Sequence, residues 1–258
     1  MKLVKDFFRR TDVEVTSIHR SADLKPQIRS KDIFLVVSRF KEDLTWLHDF
    51  KMPHLIYNKS NELLPAQFNA INVSNRGGNQ YDIVKFIYDQ YEDLPNKIAF
   101  LQGMPFDHCD KAELLRLLDL GWFAPLESYG HLRHRRASRR SQEVDGGYAE
   151  LNNSWYIDAH NRTILKRQGY ITCPVSNFEE FMNLHFLNYK HLPWLRFAPG
   201  SQYLVESWRC KNYSRSFWRR LMNFLPDGDV NGGTEAHILE RAMWLIFAGI
   251  YKERSDGR

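Results

Sequence analysis

Four short apolar runs, each closed by a polar turn, constrain this chain more than any other feature. Asp32 to Ser38 reads DIFLVVS, His54 to Tyr57 reads HLIY, Ile71 to Val73 reads INV and Lys97 to Leu101 reads KIAFL. Short continuous runs with β-branched residues suit strands covered on both faces, the condition of a parallel sheet. Helical spacing fills the intervals. Asp43 to Asp49 fits a short helix, and from 80 to 91 the residues Ile83, Phe86, Ile87 and Tyr91 share one helical face. Lys111 to Leu120 carries a leucine pattern that closes on Gly121, a residue suited to cap a helix C-terminus. This alternation predicts an α/β chain, a single domain whose mainly parallel central sheet is flanked by helices. The second half is less regular, with helices expected over 178–187, 214–224 and 235–251 and a strand over 202–207.

The expected domain runs from 32 to 251, after a leader of residues 1–31 and before a tail of residues 252–258. Within it, Arg133 to Arg140 hold five arginines and no acid, followed by Asp145-Gly146-Gly147, so 131–148 is expected to be an exposed insertion. The net charge of 36 − 31 = +5 hides an asymmetry. Residues 1–31 carry 8 − 4 = +4, residues 32–129 carry 9 − 14 = −5 and residues 130–258 carry 19 − 13 = +6. The basic insertion suits either a solvated surface or peripheral contact with an anionic polymer or membrane surface. Nucleic acid is disfavoured as a partner, because no helix-turn-helix, zinc finger or RNP-like motif accompanies the arginines.

A hydrophobic content of 43%, with 14% aromatic residues, supports a real core and excludes disordered and collagen-like classes. The longest apolar stretch, Ala242 to Tyr251, has ten residues, half of the roughly 20 that cross a bilayer, so no membrane span is expected. Asp6, Arg9 and Arg10 interrupt the region where a secretory signal would be apolar, which gives a cytoplasmic address as the expectation. Cys109, Cys173 and Cys210 lie far apart without a CxxC, and reduced thiols are expected.

Ligands in open α/β sheets bind at the carboxyl ends of the strands. Here those ends hold Arg39 with Glu42 and Asp43, Asn58 with Lys59, Asn75-Arg76-Gly77-Gly78, and Gln102-Gly103 with Asp107-His108. Arg39, Lys59 and Arg76 have the chemistry to meet a diphosphate, and glycines let backbone N–H groups approach it. Asp107 and His108 suit a divalent metal or proton transfer, or alternatively an acid there caps the next helix. On the last helix, Glu235 and Glu240 lie about 140 degrees apart, so they do not both point squarely into one site, whereas His237 shares a face with Glu240 or Arg241. The triplet Asp227-Gly228-Asp229 reads as a turn. There is no G-x-S-x-G elbow, Walker loop, G-x-G-x-x-G or H-E-x-x-H. Trp122, Tyr129, Trp155, Trp194 and Trp208 suit either the core or stacking on sugar rings.

The segments VVSRFKEDLTWL (36–47), LIYNKS (55–60), IVKFIYDQYEDLP (83–95), AFLQGMPFDH (99–108) and EAHILERAMWLIF (235–247) resemble an uncharacterised family, a domain of unknown function. The resemblance covers roughly 32–130 and 195–250, and its most specific piece is the Phe-Leu-Gln-Gly-x-Pro-Phe-x-His block. The order of elements also resembles glycosyltransferases of the A type. That second resemblance implies a nucleoside diphosphate sugar donor, a saccharide or glycoconjugate acceptor and a divalent metal, manganese or magnesium. Carried onto this chain, it sets Arg39, Glu42 and Asp43 beside the nucleoside, Asn58 and Lys59 along the ribose and Arg76 toward the diphosphate, with Asn75 also among the residues that bind the nucleotide sugar. Gln102 and Gly103 fall in the block that replaces the family's acid pair, with Gln102 and Met104 where Asp is expected. Asp107, His108 and His237 are then the alternative metal ligands, or Arg and Lys neutralise the leaving diphosphate without a metal. Glu235 or Glu240 would be the base. Two rival readings are a non-catalytic carbohydrate-binding module and a phosphoester hydrolase using Asp107 and His108.

Overall fold

The apolar runs become adjacent parallel strands in a computed structural model, which describes residues 32–60, 62–127, 141–144, 147–153, 173–225 and 234–255. In chain order the path is β1 (Ile33–Arg39), α1 (Leu47–Phe50), β2 (His54–Asn58), β3 (Ala70–Asn72), α2 (Gly78–Asp89), β4 (Lys97–Gln102), α3 (Lys111–Leu120) and β5 (Ala124–Pro125). It continues through β6 (Ser141–Val144), β7 (Gly147–Leu151), α4 (Phe178–His185), β8 (Trp194–Phe197), β9 (Tyr203–Glu206), α5 (Ser207–Lys211), α6 (Arg215–Phe224) and α7 (Thr234–Ala248). The central sheet has the order β3-β2-β1-β4-β9-β5. β1 pairs in parallel with β2 and β4, and β2 with β3, while β9 runs antiparallel to both β4 and β5. The result is a single α/β domain with a mostly parallel sheet flanked by helices.

Burial on both faces explains the unbroken apolar runs. Leu35 and Val37 of β1 pack with Trp46, Leu47, Leu114 and Leu118 on one face, whereas Val36 joins Phe86, Phe100, Trp218 and Phe247 on the other. Phe100 and Phe247 stack with ring centroids 6.0 Å apart, which ties β4 to α7. Each large apolar side chain buried this fully stabilises the fold by roughly 1.5–3 kcal/mol.

Local chemistry sets where the helices begin and end. Ser214 Oγ accepts from the Phe217 backbone N–H and starts α6, and Asn177 caps α4 through the Glu180 N–H. Gly121 ends α3 at φ 71°, and Gly249 at φ 68° follows the end of α7, short of the expected residue 251. The helix expected from Asp43 starts only at Leu47, because the Asp43 carboxylate accepts from the Thr45 N–H and Oγ and holds a turn.

Two expected boundaries change. The insertion over 131–148 is not an exposed loop throughout: β6 and β7 pair antiparallel, and β7 pairs with β8, forming a second three-stranded sheet. Alternating backbone bonds to β8 draw this segment into the domain. The arginines of 133–140 and the Asp227-Gly228-Asp229 triplet lie outside the described residues, as does the leader over 1–31. The expected tail is also partly structural. Leu187 N donates to Lys252 O, Arg254 N donates to His185 O, and the Glu253 carboxylate accepts from Ser214 N and Oγ. All three cysteines are free. Among the described residues no helix is long and apolar enough to cross a membrane.

Candidate active site

From β1 the chain moves outward to β2 and β3, then returns to place β4 on the other side of β1. The connections leaving β1 and β4 therefore run to opposite sides of the sheet, and the carboxyl ends of these two strands are the usual ligand position in such sheets. Because β9 is antiparallel, its incoming loop, 198–202, reaches the same edge.

Gly200 is the hub of that edge. Its N–H donates to Glu127 Oε1 at 2.6 Å, and its carbonyl accepts from Asn79 Nδ2 at 2.6 Å and Gln102 Nε2 at 3.1 Å. Gln202 N also donates to Glu127 Oε1, at 3.3 Å, while Gln202 Oε1 accepts from Gln102 N at 3.1 Å. A Cβ at Gly200 would lie 2.8 Å from Glu127 Oε1 and 3.0 Å from the His108 ring, so a glycine is needed for close approach. The next residue, Ser201, has φ 50°, a conformation uncommon for a residue with a side chain, and its Oγ accepts from Gln80 Nε2 at 2.8 Å. Across the loop, His108 Nδ1 stands 4.0 Å from Glu127 Oε2. Glu127, Gln202 and Ser201 are buried, whereas the His108 side chain keeps 16% of its surface exposed.

The sequence-selected residues at the same edge have internal partners. Arg39 donates through Nε to Glu42 O, through Nη1 to Asn58 Oδ1 and Ser60 Oγ, and through Nη2 to Glu62 Oε2. Asn58 Nδ2 in turn donates to Glu62 O and Asn72 Oδ1. The pair ties the ends of β1, β2 and β3 together. Arg39 also holds the Glu62 carboxyl below its ordinary range, chiefly through their hydrogen bond. Lys59 pairs with Asp82 at 3.0 Å and donates to Gly78 O, both charged groups being buried. Burial pushes the Asp82 carboxyl up to about 6, against the opposing pull of Lys59. Arg76 donates to the carbonyls of Met222 and Leu225 at the end of α6, and its guanidinium lies over the Tyr81 ring.

Glu42 accepts from the N–H groups of Phe40 and Lys41 and crowds Gly103, whose carbonyl accepts from Trp46 Nε1. Asp43 serves the Thr45 turn, and Asn75 is half-buried before α2. Asp107 is exposed on the 3₁₀ turn Pro105–Asp107, and Asp110, the residue preceding α3, makes no side-chain capping bond.

Glu235, His237 and Glu240 lie on α7. Glu235 is half-buried, and desolvation raises its pKa against a hydrogen bond with Cys173. Glu240 Oε2 accepts from Arg241 Nη1 at 3.0 Å and lies 3.8 Å from His237 Nδ1. Arg241 also pairs with Glu150 on β7 and stacks on Phe197. Glu235 and Glu240 thus have different partners, as their spacing predicts. Among the described residues no group of three or more His, Cys, Asp or Glu gathers to hold a metal ion. Asp107 and His108 are therefore not joined by His237 in one ligand set: the first two follow β4, and His237 stands beside Glu240 on α7. Burial holds the Tyr203 hydroxyl well above its ordinary range, with smaller contributions of the same sign from Glu127 and Glu240.

Of the aromatics, Trp122 and Trp208 are 56% and 44% exposed, Trp194 is partly buried in β8, and Tyr129 and Trp155 lie outside the described residues. Sequence reasoning missed Asn79, Glu127, Glu150, Gly200 and Gln202. Glu127 follows a two-residue strand that leaves no periodicity to read, and Gly200 matters only through contacts formed at long range.

No curated protein and no solved structure matches this chain. A family profile does match, over residues 35–256, and the chain belongs to that family, described as protein of unknown function (DUF3431).

Proposed function

We propose that this protein transfers a glycosyl group from a nucleoside diphosphate sugar to a hydroxyl of a saccharide or glycoconjugate. The observation that carries the reading is the N-terminus of α2. It begins at the carboxyl edge of the sheet, where Asn79 and Gln102 share the Gly200 carbonyl, through Gly77 and Gly78 at φ 56° and 61°, and its first turn contains no acidic residue. A helix N-terminus presents backbone donors and partial positive charge, which suit a diphosphate. Asn79 and Gln80, in the same turn, bind the 198–202 loop, so donor and acceptor would meet where α2, β4 and that loop converge.

In this reading the tied strand ends at Arg39, Asn58 and Gln102 form a rigid floor for the nucleoside, with Glu42, Asp43 and Gly103 along its rim. Lys59, Asn75 and Arg76 brace the start of α2 toward the diphosphate. The leaving diphosphate is met by fixed dipoles that need no rearrangement during the reaction. The sequence-selected trio Asp107, His108 and His237 does not fit a divalent-ion site, because its members do not gather, and no step is assigned to such an ion.

Calorimetric titration with uridine, guanosine and cytidine diphosphates, each with and without manganese, tests the proposal. At least one nucleotide is expected to bind and to compete with its sugar conjugate. Binding by none removes the proposal. Glycan binding without nucleotide dependence would instead favour a carbohydrate-binding module, and phosphate release from simple phosphoesters a hydrolase.

A further inference from the structure

We propose that Asn79 and Gln102 set donor specificity, their side-chain carbonyl oxygens accepting hydrogen bonds from hydroxyl groups of the transferred sugar. That this sugar arrives on a nucleoside diphosphate rests on the reading above; the recognition of a neutral saccharide by the two carboxamides does not.

Two side chains from separate elements end on one atom. Asn79 Nδ2, in the first turn of α2, donates to the Gly200 carbonyl at 2.6 Å, and Gln102 Nε2, at the end of β4, donates to the same oxygen at 3.1 Å. A carbonyl oxygen only accepts, so each carboxamide must turn its nitrogen to Gly200 and its own oxygen away. Among the described residues no donor reaches Asn79 Oδ1 or Gln102 Oε1. Both side chains are half-buried, and neither oxygen is closed off from solvent. Each amide therefore presents one anchored nitrogen and one open acceptor.

The Gly200 carbonyl that aims them is itself held. Gly200 N donates to Glu127 Oε1 at 2.6 Å, Gln80 Nε2 donates to Ser201 Oγ at 2.8 Å, and Gln202 Oε1 accepts from Gln102 N at 3.1 Å. Gln102 is thus tied to the 198–202 loop through both its backbone and its side chain. Acceptors fixed in advance bind a ligand hydroxyl with little further loss of side-chain freedom.

Chemistry and place choose the ligand. A carboxamide oxygen attracts an O–H or N–H group, whereas it repels the oxygens of a phosphate or carboxylate. Asn79 follows Gly78 at the start of α2, and the group adjoining a diphosphate seated on that N-terminus, on the side away from the nucleoside, is the transferred sugar. A clamp on the 198–202 loop would need only the two nitrogens, and the open oxygens would then have no consequence for binding. That difference is measurable.

The test uses the full chain and the variants Gln102→Lys, Gln102→Met and Asn79→Ala. Lysine keeps a donor for the Gly200 carbonyl while removing the acceptor oxygen, so it separates recognition from clamping even where methionine weakens the loop. Calorimetry compares nucleoside diphosphate hexoses and pentoses with their monodeoxy analogues in each protein. The parent is expected to bind a complete conjugate about fivefold or more tightly than at least one deoxy analogue, and that ratio is expected to fall below about twofold in the variant lacking the oxygen that meets the missing hydroxyl. Equal binding of all analogues by the parent, or ratios retained in both Gln102→Lys and Asn79→Ala, overturns the proposal and leaves the transferase reading intact. If no nucleotide binds, the transferase reading fails, and NMR of the Asn79 and Gln102 side-chain N–H resonances decides with free hexoses and pentoses. Shifts induced by a neutral saccharide support the recognition, whereas a response to none, or to inorganic phosphate alone, overturns it.

Discussion

Exchanging Arg241 for Met is expected to lower the unfolding free energy by about 3–5 kcal/mol. The Arg241 guanidinium joins Glu150 of β7 to Glu240 of α7 and lies over the Phe197 ring of β8. The three charged side chains retain 11% exposure or less, so removing the cation leaves two buried carboxylates without their shared counter-charge. A Met of similar reach preserves the stacking volume, which makes the loss electrostatic in origin. Urea unfolding measures it as a lower midpoint at unchanged slope. The triple variant Glu150→Gln, Glu240→Gln, Arg241→Met then separates the cause, because exchanging a whole buried ionic group is often close to neutral. Recovery of most of the lost stability supports the ionic account, whereas equal losses in the single and triple variants assign the effect to packing alone. A loss under about 1 kcal/mol in Arg241→Met would place the cluster in the class of solvated surface pairs. Since Arg241 connects the small sheet to the last helix, amides of β7 are expected to exchange faster in the single variant than those of β1.

How far the sequence revealed this arrangement depended on whether the determining contact was local. β1, β2 and β4 were legible because burial on both faces writes an apolar run into the chain itself. The end of α3 at Gly121 and the start of α6 near Ser214 were legible because the capping residue lies within the helix's own neighbourhood. Strands β6 and β7 were hidden in a basic, turn-rich stretch: they pair with each other locally, but the contact that builds them into a sheet of the domain is that of β7 with β8, more than forty residues further along the chain. The carboxyl edge was located through Arg39, Asn58 and Gln102, yet the partners of those residues were not foreseen. Arg39 looked suited to a phosphate and proves to tie three strand ends, because a guanidinium has the same donors for a side-chain amide, a hydroxyl and a carboxylate. Glu127 and Gly200 gain meaning only from each other, across 73 positions of sequence.

Stability between pH 4 and 6.5 is expected to be nearly flat in the parent protein with respect to two buried groups, and to acquire opposite slopes when each is removed. Burial raises the Asp82 carboxyl to about 6 from its ordinary 3.8. Its favourable contribution is therefore fully present below about pH 3.8 and is lost as pH rises through about 6. His185 behaves in the opposite sense. Its ring lies among Phe181, Phe217 and Phe224, and burial, assisted by Arg220, lowers its pKa to about 4 from 6.5. Its contribution is present above about pH 6.5 and is lost as pH falls through about 4. Each shift exceeds two units, which corresponds to roughly 3 kcal/mol, so the two dependences oppose each other over nearly the same interval. Removing the imidazole in His185→Leu leaves the Asp82 dependence, and stability relative to the parent is expected to fall by roughly 3 kcal/mol as pH rises across the window. Asp82→Asn leaves the His185 dependence, and relative stability is expected to fall by a similar amount as pH drops. Asp82→Asn also deprives the buried Lys59 of its counter-charge, which adds an offset but not this slope. Urea unfolding of the parent, both single variants and the double variant at four pH values from 4 to 7 reads the differences directly. The exposed carboxylates held low by their neighbours, Asp43, Asp49 and Glu62, contribute alike in all four proteins and cancel in the comparison. Parallel curves for the parent and His185→Leu would show that the imidazole titrates as it does in the unfolded chain. A double variant as flat as the parent, flanked by single variants of opposite slope, would establish that the two buried groups balance each other.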